Sequence, residues 1–157
     1  MKNDLKVTTY LPKYADAFGV LNEQWINEYF RMEYADRRAL EDPENYILAN
    51  GGEIVFVAES STDVVLGTCA VVHHSKQVCE LAKMAVSPEA RGRGIGEIVG
   101  SAAIDIARKA GYGEMYLETN DVLKPALGLY HKLGFEQRPF PFDSDYQRAN
   151  VYMVLDL

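Results

Sequence analysis

The stretch Ser87-Pro88-Glu89-Ala90-Arg91-Gly92-Arg93-Gly94-Ile95-Gly96 constrains this chain more than any other. An apolar run, Val78 to Val86, precedes it, and a long amphipathic segment follows. The pattern is therefore strand, glycine-rich turn, helix. Three alternate glycines let backbone approach a ligand without Cβ clashes. The free amides at the helix start then point outward, with the positive end of the helix dipole behind them. Arg91 and Arg93 add positive charge. Together these features suit a pyrophosphate. A P-loop needs Gly-Lys-Ser/Thr, and here Gly96 is followed by Glu97. A dinucleotide fingerprint starting at Gly94 would need a third glycine where Val99 stands.

The rest of the chain is read around this turn. Leu5, Val7 and Thr9 alternate with polar neighbours, as a first strand would. Tyr14, Phe18, Leu21, Trp25 and Tyr29 recur at helical spacing. A short helix near Ala35 to Leu40 and a turn at Asp42-Pro43 follow. Ile54 to Ala58 and Val64 to Val72 form an antiparallel hairpin, and Val78 to Val86 is the next strand. Ile95, Val99, Ala102, Ile106 and Ala110 are expected to mark the buried face of the long helix, with Gly111 as its cap. Met115 to Thr119 alternates as a strand. Pro125 opens a helix that stops at Gly134, and strands start at Phe135 and Val151. Hairpins followed by one β-α-β crossover predict an α/β domain of the α+β type. Its mixed, mainly antiparallel sheet would have six to seven strands, flanked by about four helices.

At 157 residues, with no linker or repeat, the chain reads as one domain over residues 1–157. Its net charge of −7 argues against a nucleic-acid or anionic-membrane partner. The start, MKNDLKVTTY, has no signal-peptide core, and no apolar run approaches a membrane span, so a cytoplasmic location is expected. Cys69 and Cys79 read as buried free thiols. No residue set has metal-ligand spacing, so no metal is expected.

The stretch Glu80 to Gly96, ELAKMAVSPEARGRGIG, resembles the acetyl-CoA-binding motif of the GNAT superfamily of N-acetyltransferases, with Arg91, Gly94 and Gly96 in its Arg/Gln-x-x-Gly-x-Gly/Ala pattern. The segment Ala126 to Phe135, ALGLYHKLGF, resembles the second motif of that family. The resemblance spans Leu5 to Leu155 and implies the GNAT-like acyl-CoA N-acyltransferase fold. It also implies acetyl-CoA as cosubstrate, with its pantetheine arm between Glu80–Val86 and Met115–Asn120. Met84, Ala85 and Val86 would bond the arm, and Met84 or Ala85 would supply the oxyanion donor. Arg91, Gly92, Arg93, Gly94, Ile95 and Gly96 would hold the pyrophosphate. Asn120 would bond the arm or a substrate-side water.

Acetyl transfer to an amine needs a base for the ammonium and an acid for the leaving thiolate. The resemblance makes Tyr130 the acid. Glu80, a carboxylate inside an apolar strand, is the candidate base, or else a residue paired with Lys83 or Arg91. Glu118 is the runner-up, and water alone is a third option. His73 and His74 point to opposite faces, so at most one reaches the site. Arg31, Glu33, Arg37 and Arg38 stand where the family often builds an acceptor wall, with a solvated face as the default. Arg148, near Tyr146, is read as a clamp for a substrate carboxylate or as a structural ion pair. The expected activity is acetyl transfer to the primary amine of a small molecule by direct attack in a ternary complex. A non-catalytic acyl-CoA-binding module and an acyltransferase with a longer donor are the alternatives, and a homodimer is left open.

Overall fold

In the computed structural model, which describes residues 4–157, seven strands form one sheet in the order β1-β2-β3-β4-β5-β7-β6. Met1–Asn3, the beginning of the stretch read for a signal peptide, lie outside the described residues. In chain order the elements are β1 (Leu5–Thr9), α1 (Ala15–Tyr29), α2 (Tyr34–Glu41), β2 (Glu53–Glu59), β3 (Val65–His73) and β4 (Val78–Val86), then α3 (Ile95–Ala110), β5 (Glu114–Thr119), α4 (Lys124–Leu133), β6 (Glu136–Arg138) and β7 (Val151–Asp156). All neighbouring strands pair antiparallel except β4 and β5, which are parallel and joined through α3. A parallel pair needs such a crossover. The expected mixed sheet with four α-helices is what forms.

The sheet carries a core on each face. Val55 and Val57 of β2 pack with Ile95, Val99, Ala103 and Ala107 of α3. Ile54, Phe56 and Ala58 pack with Phe18 and Ile26 of α1. A strand covered on both faces must be apolar at every position, which explains the unbroken IVFVA. The buried face of α3 differs from the expected one. Ile95, Val99, Gly100, Ala103, Ile104 and Ala107 are buried, whereas Ala110 is exposed and Ala102 and Ile106 are half-buried. Two adjacent stripes of small apolar residues share the same spacing, and packing against the sheet and α4 selects one. Gly100 faces α4, where a Cβ would sit 2.6 Å from a methyl of Leu133.

A bulge in β4 shapes the middle of the sheet. Thr68 pairs with Ala85 and Ala70 with Ala82, so Cys69 alone lies opposite Lys83 and Met84. Lys83 has a φ of 54°, in the left-handed region. For a residue with a Cβ this costs about 1–3 kcal/mol. The extra residue reverses the alternation. Cys79 and Leu81 before it, and Met84 and Val86 after it, all join the α3 core. Lys83 is thereby turned to the opposite face, toward α2. Pairing between β4 and β5 covers only Val78, Cys79 and Glu80, opposite Glu114, Met115 and Tyr116. Strand β5 instead stays paired with β7 as far as Thr119. The two central strands therefore diverge beyond Glu80. No helix among the described residues is long and apolar enough to cross a membrane.

Candidate active site

A cleft of about 640 Å³ opens where β4 and β5 part. Its walls include Glu80 to Val86, Glu118 to Asn120, the glycine-rich turn, and Leu129 and Tyr130 of α4. The volume falls within the range of small-molecule sites. With β5 withdrawn, the backbone of Leu81–Val86 has no strand partner on that side among the described residues. This includes Met84, Ala85 and Val86, the three expected to bond an extended ligand arm.

At one end of the cleft lies the start of α3. Gly94 is its N-cap residue with φ 76°, a conformation strained for any residue with a side chain. No backbone or side-chain acceptor among the described residues takes the amides of Gly92, Gly94, Ile95, Gly96 or Glu97. Arg91, Gly92, Gly94, Ile95 and Gly96 line the cleft. Arg93 does not, and its guanidinium lies 3.8 Å from Glu59. Arg91 lies at the rim, 3.2 Å from Glu28. Free amides at a helix start, beside an arginine and backed by the helix dipole, make an anion seat.

At the other end are the titratable groups. Glu80 faces Tyr116 across the last β4–β5 pair, and Glu118 shares the face of Tyr116 by strand alternation. The carboxylate of Glu80 accepts from Tyr116 Oη at 3.3 Å and meets His74 Nε2 at 2.8 Å. Its partner is thus a histidine, not the expected Lys83 or Arg91. That contact raises the His74 pKa above its ordinary value, against an opposing effect of burial. Glu118 differs: its buried Oε1 has no hydrogen-bond partner. Burial pushes its pKa up against a hydrogen bond with the Ser144 side chain, and the nearby Glu80 carboxylate adds to the rise. Tyr130 lines the cleft, packs edge-on against Phe135 with ring centres 6.2 Å apart, and is also raised by burial. Its hydroxyl has no hydrogen-bond partner among the described residues.

Asn120 lines the cleft, but its amide is engaged within the protein. It donates to the carbonyl of Arg148 at 2.6 Å and accepts from the amide of Val122 at 2.9 Å. Its side chain therefore ties the end of β5 to the loop before β7.

A buried charge network lies beneath this end, and only its Arg148 is among the residues singled out in the sequence as an ion-pair candidate. Asp36 on α2 is fully buried and takes a bidentate contact from Arg148, at 2.6 and 2.7 Å. It also accepts from Lys83 Nζ at 2.5 Å, and Lys83 donates to Tyr146 Oη at 2.9 Å. Burial alone would raise the Asp36 carboxyl, but Arg148 and Lys83 outweigh it and hold it down to about 2. Burial lowers the pKa of Lys83. Arg148 is therefore the structural ion pair, not a free clamp. Glu33 joins it at 3.3 Å, while Arg31, Arg37 and Arg38 stay exposed and away from the cleft. One signal was present: Lys83 interrupts an apolar strand, and a charge so placed needs a buried partner.

The sequence model of the acetyltransferase (GNAT) family matches residues 20–135. An uncharacterized N-acetyltransferase of Schizosaccharomyces pombe is 32% identical over 151 residues, covering 94% of this chain and 91% of that protein. The fold superposes on a GNAT-family acetyltransferase of Staphylococcus aureus Mu50 with a TM-score of 0.85, at 19% identity, covering 98% of this chain and 99% of the other. It also superposes on yncA of Salmonella typhimurium, solved with its cofactor acetyl-CoA. There the TM-score is 0.76 at 19% identity, covering 98% of this chain and 94% of the other.

Proposed function

The chain belongs to the acetyltransferase (GNAT) family, and on that premise we propose that it moves an acetyl group from acetyl-CoA to the primary amine of a small molecule, by direct attack in a ternary complex. One observation carries this reading. A single cleft joins an anion seat of free amides to a carboxylate with one unpartnered oxygen, that of Glu118, and to the unpartnered hydroxyl of Tyr130. When bound, acetyl-CoA supplies the thioester carbonyl and a sulfur leaving group. The free amides of Gly92, Gly94, Ile95, Gly96 and Glu97, with Arg91, would hold its pyrophosphate. The backbone of Met84, Ala85 and Val86, unpaired on the β5 side, would bond its arm, and an amide of Met84 or Ala85 would donate to the carbonyl oxygen.

The residues of the chain then divide the proton work. Glu118 takes the proton of the substrate ammonium, because its raised pKa and unpartnered Oε1 suit a general base. Glu80 was the first candidate from sequence, but its Oε1 is held by His74 and Tyr116. We therefore give it a supporting place beside the base. Tyr130 keeps its proton to high pH and can give it to the departing sulfur. A cysteine nucleophile is disfavoured: burial raises both thiols, Cys79 to about 12.

The test is acetyl-CoA with a pooled library of amines, read by mass spectrometry of products, beside calorimetric titration with acetyl-CoA. Binding together with an N-acetylated product is the expected result. Binding with no product from any amine would favour the non-catalytic acyl-CoA module. Faster turnover with longer acyl donors would favour the other alternative.

A further inference from the structure

The acceptor end of the cleft is unbalanced in charge. The cationic side chains lining it there are Lys83 and Arg148. Both are spent on Asp36, which is fully buried, and Arg148 also meets Glu33. Arg148 is further enclosed by the rings of Tyr146 and Trp25, whose centres lie 4.7 and 5.7 Å from its guanidinium carbon. A substrate carboxylate reaching for either cation would have to displace Asp36. That would leave a buried aspartate without its partner, which is strongly unfavourable.

The carboxylates of the same wall are not balanced in this way. Glu80 and Glu118 face the cleft with His74 as the imidazole beside them. With both carboxylates ionised, one imidazole leaves this end negative whether or not His74 is protonated. Glu118 Oε1 is buried and receives no donor from the protein. Such an oxygen is costly unless a ligand supplies one.

We propose that the acceptor is an amine bearing a second positive charge and no carboxylate, of the linear diamine class. This rests on the acetyltransferase reading above. One ammonium gives its proton to Glu118 and becomes the nucleophile. The other stays charged and shares the Glu80 carboxylate with His74.

Three probes of one chain length separate the possibilities: an α,ω-diamine, the alkylamine, and the ω-amino carboxylate. Each is titrated calorimetrically into the full chain with coenzyme A present. Each is also assayed for kcat/KM with acetyl-CoA by release of the free thiol. The diamine should exceed the alkylamine by about tenfold or more in both readouts, and the alkylamine should exceed the amino carboxylate by a similar factor, ordinary values for one charge pair gained or lost. Glu80→Gln should shrink the diamine advantage severalfold. Equal use of the three probes, or preference for the amino carboxylate, overturns the proposal and leaves the acetyltransferase reading intact. Selective binding of the diamine without product keeps the cation-selective site and removes the acetyltransferase reading. Absence of both binding and product overturns both. An undiminished diamine advantage in Glu80→Gln overturns the assignment of the second charge to this wall.

Discussion

Tyr130 and Glu118 both line the cleft and each has an oxygen without a hydrogen-bond partner among the described residues, yet their loss should read out differently. Tyr130→Phe keeps the ring against Phe135 and removes only the hydroxyl. A proton given to a departing sulfur matters in the transition state and not in the bound state. We therefore expect kcat to fall roughly 10²-fold, with little change in the acetyl-CoA dissociation constant. Kinetics and calorimetry on one preparation check this, and wild-type turnover would leave Tyr130 a packing residue. Glu118 must be ionised to act, and burial raises its pKa. The acid limb of kcat/KM should therefore lie above the ordinary carboxylate range. Glu118→Gln should lower kcat/KM at neutral pH by about 10²-fold or more and abolish that limb. Its deficit should shrink as pH rises, because more of the amine then arrives neutral. A variant that keeps the wild-type limb would place the base elsewhere.

Helix α2, the bulge of β4 and the loop before β7 are joined through one side chain, Asp36. Strand β4 spends its strained Lys83 on this contact, and the same bulge accompanies its departure from β5. Asp36→Asn keeps the shape and removes the charge, leaving Lys83 and Arg148 buried against a neutral amide. Breaking a buried pair in this way costs about 3–5 kcal/mol, and Glu33 near Arg148 should hold the loss to the lower end. Urea unfolding measures it. A loss below about 0.5 kcal/mol would make the network no stronger than an exposed ion pair. Because Arg148 and Tyr146 line the acceptor end, KM for the amine should rise more than the dissociation constant for acetyl-CoA.

For the molecule as a whole, the same carboxylate sets an acid limit. Its folded pKa of about 2 lies below the ordinary 3.8. A depressed carboxylate stabilises the fold fully above the unfolded value, and that stabilisation is lost as pH falls through the folded one. The window is therefore from about pH 4 down to about pH 2, and the amount is about 2 kcal/mol. Melting curves across this window should fall more steeply for wild type than for Asp36→Asn. Parallel curves would assign acid unfolding to other groups.

The sequence by itself determined the strands, the helices and the order in which they alternate. It also located the glycine-rich turn at the start of α3 and the apolar run that feeds it. These are local properties: side-chain period, the left-handed cap at Gly94, and proline and glycine at element ends. It further ranked Tyr130 and the turn as site residues through their resemblance to two motifs. Tertiary structure alone decided which stripe of α3 is buried, because Ala102 and Ala103 obey equally good spacings and only the sheet and α4 choose between them. It gave Glu80 to His74, and it left one oxygen of Glu118 without a partner. It sent Lys83 through the sheet to Asp36, 47 residues away, and Arg148 to the same carboxylate over 112 residues. Pairing over such separations leaves no period in the sequence. Buried charges find their partners only when the elements carrying them pack, and a bulge that shifts one strand by one residue changes which face each side chain meets.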